Sequence, residues 1–198
     1  MEIQGPLENF FKSPEQAPDP KGDGILYNLR VDLEKLYGKE SKFEGIPPSH
    51  SMLAMTGILI GIDYISQCYS SKKQSGEAFV DSVISLGGID WDNAEAIYQL
   101  RCAILHSFSL STISDRKYFH KGTRFHFTII DDTPSTVIKM ESAKESEVNY
   151  RVNIRGLKMC FTRMISELEK ICRDSKHKNH SVILNRVCRR GEEKLLKI

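Results

Sequence analysis

The stretch "AIYQLRCAILHSFSLS" (residues 96–111) decides how this chain is read. Ile97, Leu100, Ala103, Ile104 and Leu105 form a broad apolar face, which predicts a helix facing a core. Arg101 and His106 interrupt the apolar run. Polar groups among core residues need partners, so each raises the question of what it binds. Five residues apart on a regular helix, they project about 140° from each other. Convergence on one small group then calls for a helix that distorts or ends near Ser107, or for two subunits packing this helix about a two-fold axis.

Working outward, Asp90 or Asp92 can cap this helix, which is expected over about 92–109. Upstream, "GILYNLRVDLEKLYGK" has apolar residues at 25, 26, 29, 33 and 36, a helical spacing. A second helix runs from Ser49 to about residue 71, and a third from Glu77 to Leu86, ended by "GGID". Residues 1–22 hold four of the seven prolines and are expected as an irregular N-terminal arm, leaving one domain over 23–198.

Downstream the period changes. "TRFHFTIID" alternates, "STVIKMES" alternates more loosely, and "DDTP" lies between them. This predicts a β-hairpin at about 123–142, inserted before the last long helix. "YRVNIRGLKMCFTRMISELEKICRD" returns to helical spacing, although "YRVNI" also fits a third strand. A short basic helix is expected over about 179–197. The fold class is therefore mainly α, an antiparallel helical bundle carrying a β-hairpin.

Composition narrows the function. The 198 residues carry 40% hydrophobic and 27% charged side chains, with a net charge of +2. These values fit a soluble domain with a real core and do not mark the whole chain as a nucleic-acid binder. Residues 173–198 are locally basic at +5, leaving −3 elsewhere. The five cysteines form no C-x-x-C pair, which suits reduced thiols in the cytoplasm. The stretch "MEIQGPLENFFKSPEQ" has no basic n-region and no long apolar h-region, so no secretory signal is expected there, and the apolar run at residues 52–62, about half of a membrane span, is expected as a core helix.

The chemistry centres on Arg101 and His106. RNA cleavage by its own 2′-OH needs a base for the 2′ proton, an acid for the leaving 5′ oxygen, and positive charge at phosphorus. Histidine titrates near neutral pH and serves as base or acid. Arginine makes paired hydrogen bonds to phosphate and keeps its charge. No metal or cofactor is required.

"LRCAILHSF" resembles the R-x4–6-H motif of HEPN domains (higher eukaryotes and prokaryotes nucleotide-binding), over about residues 49–174. The resemblance implies an antiparallel helical bundle, a homodimer, and a metal-independent endoribonuclease leaving 2′,3′-cyclic phosphate ends. It also implies a toxin–antitoxin or phage-defence setting, with an antitoxin or nucleotidyltransferase partner. Arg101 matches the motif arginine and His106 the motif histidine. Cys102 stands where active members commonly have Asn, Asp or His, and Cys102 and Ser107 are expected to line the cleft. Other members bind RNA, nucleotides or proteins without catalysis, and that is the alternative reading.

Further candidates are secondary. Lys117, Lys121 and Arg124 lie in "RKYFHKGTRFHF", where cations alternate with aromatics, and are expected RNA contacts. His177 and His180 have few helpful neighbours for a metal. Ser107 beside His106 makes no triad, and no phosphate-binding glycine loop is present. A purely structural role remains a rival, with Arg101 paired to Asp63 or Asp81.

Overall fold

A computed structural model describes residues 4–17, 24–37, 48–72, 75–114, 122–130, 138–141 and 147–192. Among them the chain is mainly helical with a small sheet. The helices are α1 (Gln4–Phe11), α2 (Ile25–Tyr37), α3 (Pro48–Tyr69), α4 (Ser75–Gly87), α5 (Trp91–Ser107), α6 (Ile154–Arg173) and α7 (His180–Glu192). The strands are β1 (Ser111–Ile113), β2 (Arg124–Ile130), β3 (Ile138–Glu141) and β4 (Glu147–Asn153).

The apolar spacing of α3 explains its central place. Met55, Ile58, Leu59, Ile62 and Ile65 are all buried, and α2, α4 and α6 pack around this helix. Window Met52–Tyr69 is long and apolar enough to cross a membrane by composition, but 56% of it is buried inside the fold, as for a core helix. Close approach of α3 and α6 depends on Gly61, where a Cβ would lie 2.5 Å from the Phe161 ring. At the end of α4, Gly88 has φ +67, the left-handed conformation that lets glycine stop a helix.

Residues 1–22 are not wholly irregular. Residues 4–11 form α1, which buries Phe10 and Phe11. Phe10 stacks on Tyr64 with ring centroids 5.8 Å apart. Two adjacent aromatics supply enough apolar surface to dock a short helix despite the prolines beyond it.

The basic C-terminal helix also folds onto the bundle. Arg186 donates to the Tyr69 carbonyl, and Arg190 donates to Gln67 at 2.7 Å while lying over the Tyr64 ring. These contacts run α7 antiparallel to α3 and engage two of its cations inside the chain.

The expected hairpin does not form. β2 pairs with β4 in parallel, β3 pairs with β4 antiparallel, and the strand order is β1-β2-β4-β3. The "DDTP" turn lies outside the described residues. Side-chain pairing explains the outcome. Tyr150 of β4 stacks on Phe125 at 5.8 Å and on Phe127 at 6.0 Å, joining three buried rings on one face. Such cross-strand aromatic contacts are the unit of sheet stability, and a local turn signal cannot anticipate them. "YRVN" is indeed strand, and Asn153 then caps α6 by accepting from the Arg155 and Gly156 N–H groups.

Candidate functional site

Helix α5 positions the site. Asp90 caps its start by accepting from the Asn93 N–H at 3.0 Å, which fixes the helix register. Ala96, Ile97, Leu100, Ala103 and Ile104 are buried and anchor the helix against the core. Its end is abrupt. Phe108 adopts φ 46, ψ 39, and its N–H donates to the Ile104 carbonyl at 3.1 Å. The Ser109 N–H reaches the Ala103 carbonyl at 3.1 Å. These bonds satisfy carbonyls that a helix end otherwise leaves open.

Arg101 and His106 meet within one chain. Nη1 of Arg101 lies 2.9 Å from Nε2 of His106. The 140° projection made convergence depend on the helix end or on a second subunit. The helix does end at Ser107, and the long arginine stem spans the remaining angle, so no second subunit is needed for this contact. Nη2 of Arg101 is 2.9 Å from Oδ2 of Asp63 on α3. Both members of the ion pair are mostly covered, with side chains 15% and 19% exposed, whereas His106 is exposed.

Chemistry fixes the protonation pattern. A guanidinium has donors and no acceptor, so Nε2 of His106 accepts and its proton sits on Nδ1. Burial pulls the Arg101 pKa down, but the hydrogen bond and charge of Asp63, helped by Cys102, outweigh it and hold the guanidinium above its ordinary value. Arg101 is thus a permanent cation, clamped on one side by a carboxylate and donating to an imidazole nitrogen on the other. Its Nε is buried without a hydrogen-bond partner among the described residues.

Cys102 is half-buried beside Arg101, and Ser107 is exposed after His106. Arg124 is exposed at the start of β2, opposite Ile113 and Glu147. The helix end lies farther along β2, where the Phe127 N–H donates to the Leu110 carbonyl at 2.8 Å. Three residues of strand, about 10 Å, separate Arg124 from that point. Lys117 and Lys121 lie outside the described residues. His180 is engaged through Nδ1 with the Ile171 carbonyl at 3.1 Å, and Asp81 pairs with Lys72 rather than Arg101. Among the described residues, no group of three or more His, Cys, Asp or Glu could hold a metal.

One feature escaped the sequence reading. Glu95, Gln99 and Ser114 are buried together, with Gln99 donating to Glu95 at 2.9 Å and to Ser114 at 3.3 Å. Glu95, Gln99, Cys102 and His106 recur at four-, three- and four-residue steps, a polar stripe along one side of α5. That spacing was the available signal. Its buried end, Glu95 and Gln99, lies on the sheet side, where burial, then Asp92, Glu95 and Asp90, push the Tyr150 phenol pKa up.

No family model, curated protein or solved structure matches this chain.

Proposed function

We propose that the Asp63–Arg101–His106 assembly cleaves RNA without a metal, as a HEPN-type endoribonuclease. The observation that carries this reading is the 2.9 Å contact between Arg101 and His106. A scissile phosphate would take Nη1 of Arg101 in place of the imidazole. That exchange frees the lone pair on Nε2 of His106, which accepts the 2′-OH proton. The 2′ oxygen then attacks phosphorus, the bond to the 5′ oxygen breaks, and the products are a 2′,3′-cyclic phosphate and a 5′-hydroxyl. Asp63 keeps the guanidinium in place throughout. Losing one such preorganised donor costs about 10²–10³ in rate.

The leaving 5′ oxygen needs a proton, which the equivalent His106 of a second subunit would supply from its imidazolium form, while the first His106 keeps the proton taken from the 2′-OH, so the pair ends with the same number of protons. Leu53 and Ile60, one side of α3 and 58% and 43% exposed, favour such self-association, and Ile60 lies one turn before Asp63. A cytoplasmic defence role with an antitoxin or nucleotidyltransferase partner belongs to the same proposal.

The test is incubation of the protein with labelled single-stranded RNA in excess EDTA, beside His106→Ala. Cyclic-phosphate ends from the parent alone support the reading. Cleavage that survives neutral substitutions at both 101 and 106 sinks it. A second reading, a non-catalytic RNA-, nucleotide- or protein-binding module of the same fold, is favoured by Cys102 and by the closed Asp63–Arg101–His106 contact. RNA bound but uncut supports that second reading.

A further inference from the structure

We infer that Phe108 is a base-stacking residue, whose ring receives a nucleobase of the RNA strand that Arg101 holds by its phosphate. The inference rests on the proposed RNA-cleaving site and adds a residue that would bear on which bases the site accepts.

Phe108 is the one non-glycine residue with positive φ among the described residues. Glycine usually fills such a helix-ending position, because a side chain there crowds the backbone. A bulky residue in this conformation is an outlier. The ring does not offset that cost by burial, since Phe108 is 85% exposed. Backbone and solvation both disfavour phenylalanine here, and nothing within the described chain covers it. Strain kept in a native fold beside a candidate site is grounds for a functional hypothesis.

The surroundings select the occupant. His106 and Ser107, just before Phe108, are exposed and polar, and Ser109 follows it. Ile113 on β1, five residues on, is also exposed, but the residues on either side of Phe108 are polar, whereas a protein anchor would be expected to have apolar neighbours on its own face, as Leu53 and Ile60 do on α3. A nucleobase needs one flat apolar face and tolerates polar neighbours at its edge. His106 and Phe108 are two residues apart, at most about 7 Å along the chain, so one strand could meet both.

The experiment measures binding of a short uncleavable 2′-O-methyl oligouridine, and of its abasic counterpart, by fluorescence anisotropy. The parent, Phe108→Ala, Phe108→Tyr and Arg101→Gln are compared. Phe108→Ala should bind the base-containing strand about tenfold more weakly, while Phe108→Tyr stays close to the parent. The abasic strand should bind the parent and Phe108→Ala alike. Equal affinity of the parent and Phe108→Ala for the base-containing strand overturns the inference. If Arg101→Gln still weakens binding in that case, the RNA site stands and only the stacking role falls. Parent binding that is absent, or indifferent to Arg101, overturns both. A change in sedimentation on Phe108→Ala without a change in RNA affinity identifies a subunit contact and overturns the stacking role.

Discussion

Arg101 donates to Nε2 of His106 at 2.9 Å while its other terminal nitrogen holds Asp63 at 2.9 Å. One guanidinium therefore fixes both the place of a carboxylate and the tautomer of an imidazole. NMR of the ring nitrogens should find His106 as the Nδ1–H tautomer at mildly alkaline pH. Arg101→Met should abolish the tautomer preference; an unchanged preference would show that the contact does not persist in solution.

The Asp63–Arg101 pair should be strongly coupled. Each side chain is mostly covered, so removing one leaves a buried charge without its partner. Asp63→Asn should cost about 1–3 kcal/mol in urea unfolding. A double-mutant cycle with Arg101→Met should give a coupling above about 1 kcal/mol. Additive losses would mean that the ion pair contributes little.

Replacing Phe108 with glycine should not destabilise the fold. Left-handed backbone costs a non-glycine residue about 1–2 kcal/mol, and the 85% exposed ring loses little on removal. The greater freedom of glycine in the unfolded chain returns part of that gain. Thermal unfolding should show an equal or higher midpoint, and a marked drop would reveal packing by the ring.

Gly61→Ala tests the α3–α6 contact. Its Cβ would sit 2.5 Å from two atoms of the buried Phe161 ring, against 3.1 Å from a Leu33 methyl at Gly57. Overpacking of this kind costs about 1–3 kcal/mol, so Gly61→Ala should lower stability clearly more than Gly57→Ala. Equal losses would show that the ring yields freely.

Acid should weaken the cap of α5. The Asn93 N–H holds the Asp90 carboxyl below its ordinary pKa, with burial opposing. A lowered folded pKa gives stability that is present above the unfolded value, about 3.9, and is lost as pH falls through the lower folded value. Asp90→Ala should cost about 1 kcal/mol at neutral pH, with the deficit shrinking below about pH 4. A deficit that stays constant with pH would rule out a charge-dependent cap.

Thiol reactivity should divide the five cysteines. Burial pushes Cys160 and Cys172 up to about 12, and Cys68 is also buried, whereas Cys102 and Cys188 are half-buried. Titration of the native protein with a disulfide reagent at mildly alkaline pH should modify Cys102 and Cys188 first. Early reaction of Cys160 would contradict the packing around Gly87.

The sequence by itself determined the helical spans from α2 to α6, the stop of α4 at "GGID", a cap for α5 at Asp90 or Asp92, and the choice of Arg101 and His106 as the residues to explain. Each depends on neighbours within about one helical turn, which a periodic pattern records. Tertiary structure decided the rest. Asp63, 38 residues before Arg101, was one of two acids open as its partner until α3 and α5 packed together. Gln99 and Ser114 joined only when β1 folded back along α5. Tyr150 drew β4 beside β2 and displaced the hairpin. Phe10 and Phe11 turned an apparent arm into α1. These outcomes compare contacts between distant segments, and their relative free energies are set by burial and pairing that no local stretch contains.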